Sequence, residues 1–140
     1  MKYEAGTQNF ASAATLKPAI ELLNILNDNN LEEYNNSIKD YLLNILSNDE
    51  RIRLYGVPRG TSEEKIPLFS FTVKGIHHED LALILDKMGI AVRSGQMCAE
   101  PLMDRFGVTG MLRASLASYN TMQEAEYFVK CLNKAIDMLI

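Results

Sequence analysis

The chain has 140 residues, of which 47% are hydrophobic and 23% charged, and it carries a net charge of −4. That balance suits one globular domain and excludes the basic face a nucleic-acid partner needs and the polybasic cluster of a membrane-surface anchor. No apolar run approaches the ~18 residues of a membrane span, and the start, MKYEAGTQNF, lacks the order of a signal peptide. Two cysteines, Cys98 and Cys131, are too few for a disulfide scaffold, so a reduced, cytoplasmic setting is expected.

Phe10, Ala13, Ala14, Ile20, Leu23 and Leu26 recur at helical spacing over residues 10–28, interrupted by Pro18. Proline is tolerated in a first turn and resisted in an interior, so a kink or a fresh helix start is expected near Thr15. Asp28-Asn29-Asn30 ends this element, and a second helix is expected from about Leu31 to Leu46, burying Leu31, Tyr34, Ile38, Leu42 and Ile45.

Residues 51–55 alternate with period two and 67–73 form an apolar run bounded by Pro67 and Gly75; both read as strands, with an exposed loop over 57–65 between them. A helix follows over 78–88, with Gly89 suited to the left-handed position past its end. Residues 90–93 read as a third strand and 111–117 as a fourth; between them Pro101 opens a short helix that Gly107 closes. Thr121-Met122-Gln123-Glu124 has the spacing of a capping box and starts a last helix. The order α-α-β-β-α-β-α-β-α predicts an α/β (α+β) domain, with a three- to four-stranded, largely antiparallel sheet and helices on one face.

Alternation sets Arg93 and Arg113 on the strand faces away from their apolar neighbours. An arginine fork grips a carboxylate bidentately; a solvated sheet face bearing two arginines is the alternative, and both stay open. Cys98 lies five residues after Arg93, just ahead of the Pro101 helix, where a helix N-terminus and a guanidinium favour the nucleophilic thiolate. Cys131, mid-helix among apolar residues, reads as a small buried hydrophobe. His77-His78 beside Glu79-Asp80 lacks a third ligand at a metal-binding spacing and reads as a helix entry; no metal is expected.

The segment Arg93-Ser94-Gly95-Gln96-Met97-Cys98-Ala99-Glu100-Pro101-Leu102 resembles the cysteine desulfurase and selenocysteine lyase branch of the class V aminotransferases. Tyr3-Glu4-Ala5-Gly6-Thr7-Gln8-Asn9, Gly89 to Arg93, and Arg113-Ala114-Ser115 with Tyr119-Asn120-Thr121 and Glu124 resemble further motifs of that family, in order. The resemblance implies a homodimeric pyridoxal phosphate enzyme of the aspartate-aminotransferase-like fold, with residues 31–140 its C-terminal small domain and 1–30 the segment leading in from a large cofactor domain. It also implies that Cys98 attacks the substrate sulfur and becomes a persulfide as alanine leaves. Arg113 would hold the α-carboxylate of L-cysteine, with Arg93 at the mouth of the site. Gly6 and Thr7 would reach the cofactor phosphate of the neighbouring subunit, and a sulfur-acceptor protein, for instance in iron–sulfur cluster assembly, would follow.

Two departures stand out. Gln96-Met97 replaces the His-His that many relatives carry, removing an imidazole near the thiol. None of the chain's lysines sits in the family's Ser-x-His-Lys segment, which supplies the Schiff-base lysine of pyridoxal phosphate. The chain alone is therefore expected neither to bind the cofactor nor to turn over, and an expressed fragment or internal start at Met1 is the simplest expectation. Self-association through residues 3–16 is expected too, because their docking site would lie elsewhere. Selenocysteine lyase, cysteine sulfinate cleavage or transamination remain open within the family. Outside it stands a non-catalytic dimerisation or sulfur-accepting module.

Overall fold

The computed structural model describes the chain except residues 1, 2, 4, 5, 29, 30 and 57–64. Two compact units result, residues 1–34 and 35–140. The expected loop over 57–65 and the Asn29-Asn30 stop fall almost wholly outside the described residues.

In the first unit, α1 (Phe10–Ala14) and α2 (Leu16–Asp28) are separate helices, and α3 (Leu31–Asn48) begins there. Asn9 caps α1 by accepting from the Ser12 N–H at 3.2 Å, and the Thr15 hydroxyl donates to the Ser12 carbonyl at 2.7 Å. That local bond ends α1 at the expected place and leaves Pro18 in the first turn of α2, where no intrahelical donor is lost. Phe10, Leu16, Ile20 and Leu23 are each more than half exposed.

The second unit is built on four strands, β1 (Ile52–Tyr55), β2 (Leu68–Val73), β3 (Arg93–Gly95) and β4 (Met111–Ser115), in the order β1-β2-β4-β3 with every pairing antiparallel. Phe69, Phe71, Leu112 and Ala114 point from one face into a core closed by α3, α4 (His78–Lys87) and α6 (Met122–Leu139). From α3 come Ile38, Leu42 and Leu46, while Tyr34 is exposed, so the buried stripe is rotated from the expected 34/38/42/45 and takes in Lys39. The box at Thr121 forms in full: Glu124 N–H donates to the Thr121 hydroxyl at 3.2 Å, and the Glu124 carboxylate accepts from Thr121 N–H at 2.8 Å. Cys131 is buried in this core.

Two strands depart from expectation by more than one residue, β3 starting late and running on to Gly95 and β4 stopping short of Ala117, each with a local hydrogen bond beside the shifted end. The third strand begins only at Arg93, because the Ile90 N–H turns back to the Leu85 carbonyl at 3.0 Å and extends the helix cap. The fourth stops at Ser115, because Ala117 N–H donates to the Asn120 side chain at 2.8 Å and the chain turns toward α6.

The other sheet face is not the plainly solvated one that alternation allowed. A second cluster covers part of it: Tyr55 and Met111 from the sheet and Met103 from α5 (Glu100–Phe106), with Ala99, Phe106 and Val108 against them. Gly107 closes α5 in the left-handed conformation expected of it. Phe106 packs against Tyr55 with the rings tilted by 52° and their centroids 4.9 Å apart, which fixes α5, and the loop before it, over this face.

Candidate active site

The ladder registers align Arg93 with Arg113, Arg113 with Ser70, and Ser70 with Tyr55, one row across all four strands. Residues in register share a face, so two arginine side chains leave the sheet from neighbouring positions on that face. Like charges directly opposite repel, and that cost is offset where an anion lies between them. Arg113 Nε is buried and has no hydrogen-bond partner among the described residues. An orphaned charged donor of this kind is expensive unless a ligand completes it.

A cavity of about 400 Å³ opens in front of Arg113. Tyr55, Ser70, Met103, Phe106 and Met111 line it, with Met97 and Ala99, the two chain neighbours of Cys98. Among the described residues the lining contains no carboxylate, and its cations are Arg113 and Lys65. Lys65 Nζ is already engaged: it donates to the Leu68 carbonyl at 2.7 Å and lies 5.0 Å from the Phe69 ring centroid. Burial, with the Lys39 charge nearby, pulls the Lys65 pKa below the ordinary lysine value.

Cys98 stands at a strained turn. The Ala99 N–H bonds the Gln96 carbonyl at 2.9 Å, and the two central residues, Met97 and Cys98, have φ of 58° and 59°. Positive φ at both positions is the signature of a type I′ turn, which favours Asn and Gly. For side chains such as these the left-handed region costs on the order of 1–2 kcal/mol per residue. The turn persists because both ends are fixed, by β3 on one side and by the packing of Ala99, Met103 and Phe106 on the other. Cys98 is exposed and is not itself part of the cavity wall; Arg93 is exposed as well.

The structure thus brings Arg93 and Arg113 together and seats the Cys98 loop on Arg113's cavity. Gly6 and Thr7 lie in the first unit, both exposed, Gly6 with φ 89°. His77 and His78 form a helix entry: the His77 side chain accepts from the Glu79 N–H at 3.4 Å, and His78 is the buried first residue of α4. Sequence reasoning missed Ser70, Tyr55 and the Met103–Phe106 wall. Ser70 had a signal, a hydroxyl inside the apolar run PLFSFTV on the face of Thr72.

A family model described as aminotransferase class-V matches residues 1–128. The chain belongs to this family. It is 38% identical over 138 residues to a probable cysteine desulfurase of Vibrio cholerae serotype O1, covering 99% of this chain and 33% of that protein. Among solved structures, the cysteine desulfurase CsdA (S-sulfonic acid) from Escherichia coli superposes with a TM-score of 0.80 at 34% identity, over 99% of this chain and 33% of that one. An apo cysteine desulfurase from Thermococcus onnurineus NA1 gives 0.79 at 32% identity, over 98% and 34%. The fold is accordingly that of the corresponding part of the aspartate-aminotransferase-like enzymes, and the chain spans about a third of the length of these relatives.

Class V aminotransferases use pyridoxal phosphate, which needs a lysine for its Schiff base and a partner for its ring nitrogen. Among the described residues the cavity of this unit meets neither need: the lining holds no carboxylate, and its lysine, Lys65, is bound to a main-chain carbonyl. The orphaned Arg113 Nε fits an amino-acid carboxylate instead, so these residues suit the substrate end of such a site rather than the cofactor.

Proposed function

We propose that this chain is the cysteine- and arginine-bearing part of a cysteine desulfurase that acts on L-cysteine. The observation carrying the reading is the orphaned Arg113 Nε in a cavity walled by both neighbours of Cys98. Arg113 takes the α-carboxylate as a fork, and Arg93 beside it draws the anion toward the mouth. The Cys98 sulfur bonds to the substrate sulfur while the substrate Cβ–S bond breaks; Cys98 keeps a persulfide, and the carbon skeleton gains a proton and leaves as alanine. In the complete protein, pyridoxal phosphate supplies the electron sink for that bond cleavage. Its lysine would come from outside this chain.

On the same reading residues 31–140 form the small domain and 1–30 the segment joining it to a large cofactor domain. Gly6 and Thr7 would reach the cofactor phosphate of a second subunit in a homodimer. The setting would be the cytoplasm, where a sulfur-acceptor protein, as in iron–sulfur cluster assembly, would collect the persulfide. Among the described residues no helix is long and apolar enough to cross a membrane. The exposure of Cys98 supports both delivery to such an acceptor and a second reading, a sulfur-accepting module without catalysis; Arg113 has no evident use in the latter.

The test is Cys98→Ala in the full-length protein. Loss of persulfide and of alanine production is expected, and unchanged alanine and sulfide release from L-cysteine would overturn the proposal. Alanine formed only by a separate enzyme, with sulfur then passed to Cys98, would favour the module.

A further inference from the structure

We infer that Ser70 is a second contact for the substrate carboxylate and helps set the preference for α-amino acids; this rests on the desulfurase reading above. Ser70 is the register partner of Arg113, and both line the cavity. The Leu116 N–H bonds the Pro67 carbonyl at 2.9 Å, in the same register. Hydrogen-bonded pairs alternate along an antiparallel ladder, so Ser70 and Arg113 form a non-hydrogen-bonded pair, the type whose side chains stand closest, with Cβ atoms about 4.5–5.5 Å apart.

A carboxylate offers about four acceptor positions, and one guanidinium fork fills two. The remaining lone pairs must find donors as the substrate leaves water, or the site bears their desolvation. Tyr55, next in the row, has its hydroxyl within 3.1 Å of the Thr72 hydroxyl, so it is already engaged. Among the described residues that line the cavity, this leaves Ser70 as the neutral donor beside Arg113. Its short side chain reaches an oxygen lying over the sheet without adding charge, which a third cation there would do.

Steady-state kinetics of the full-length protein with L-cysteine, and competitive inhibition by 3-mercaptopropionate and by cysteamine, test this. The first inhibitor keeps the carboxylate and the second lacks it. Ser70→Ala is expected to raise KM for L-cysteine and Ki for 3-mercaptopropionate about tenfold, the ordinary size of a lost hydrogen bond to a charged group. It should leave kcat and the Ki of cysteamine unchanged, and Ser70→Thr, which keeps the hydroxyl in a residue suited to a strand, should restore both constants. An unchanged KM in Ser70→Ala, alongside a raised KM in Arg113→Lys, would overturn the Ser70 contact and leave the desulfurase reading standing. An equal rise in the Ki of both inhibitors would also overturn it, as a packing effect. Failure of the unsubstituted protein to form alanine from L-cysteine would overturn both.

Discussion

The two faces of the sheet are made by alternate residues of the same strands, and they solve opposite problems. On one, Phe69, Phe71, Leu112 and Ala114 meet three helices, and the core they form is apolar, with Lys39 and His78 the buried polar residues of the covering helices. On the other, Tyr55 and Met111 hold a small cluster against α5, and beside it stand Arg113 with an orphaned nitrogen, Arg93 opposite, and the strained Met97-Cys98 turn. The first face keeps the local rules but for the buried His78 Nδ1 on α4, which has no hydrogen-bond partner among the described residues. The second breaks three of them (like charges paired, a buried donor unmet, non-glycine residues at positive φ), and each breach leaves a group ready for a ligand. Where such breaches gather, function rather than stability is the better explanation.

Substitutions should separate the faces. Phe71→Ala empties a fully buried position and is expected to cost about 3–5 kcal/mol in urea unfolding. Arg113→Met removes a buried donor that has no partner and is expected to gain about 1 kcal/mol instead. In the full-length protein the same change should lower kcat/KM for L-cysteine about a hundredfold or more. A large stability loss from Arg113→Met would mean that both faces serve the fold alike.

The first face was readable in the sequence because burial there follows period two and period 3.6 with no competing demand. The split at Thr15, the cap at Gly107 and the box at Thr121-Glu124 were readable for the same reason, each depending on residues within four of one another. The β3 start was not. Ile90-Ala91-Val92 has strand composition, but a backbone bond to Leu85 holds the chain at the helix end, and composition does not report such a bond. The site was legible only in part: alternation aligned Arg93 and Arg113, whereas the pairing of Ser70 with Arg113 depends on which strands are neighbours. That order, β1-β2-β4-β3, is a tertiary fact.

Acid should strike the helix-covered side first. His78 is 8% exposed, and its ring lies so close to Gly110 that a Cβ there would clash with Nε2. Burial lowers its pKa below the ordinary value of about 6.5. The unfolded chain therefore takes the proton first, and stability is fully present above about pH 6.5 and is lost as pH falls toward the lower folded value. Asp49 is held below its ordinary value by Arg51, at 2.7 Å, so its contribution persists to lower pH and is lost only as pH falls through its own depressed pKa. Urea midpoints measured across pH should thus fall in two stages, and His78→Gln should erase the first alone. A profile unaltered by His78→Gln would show that the buried imidazole does not govern acid sensitivity.

The smallest expected effect bears most directly on the contrast. Met97 is half-buried, so its removal should be costly, yet it sits at φ 58°, where glycine is at ease. Lost packing and relieved strain are both on the order of 1–2 kcal/mol and opposite in sign. Met97→Gly is therefore expected to leave the unfolding free energy within about 0.5 kcal/mol of the parent, whereas Met103→Ala, lining the same cavity but on an unstrained helix, should cost about 2–4 kcal/mol. Equal losses from the two would mean that the turn stores no strain. Cys98 would then be presented by packing alone, as any surface residue is, and the two faces would differ in charge but not in conformation.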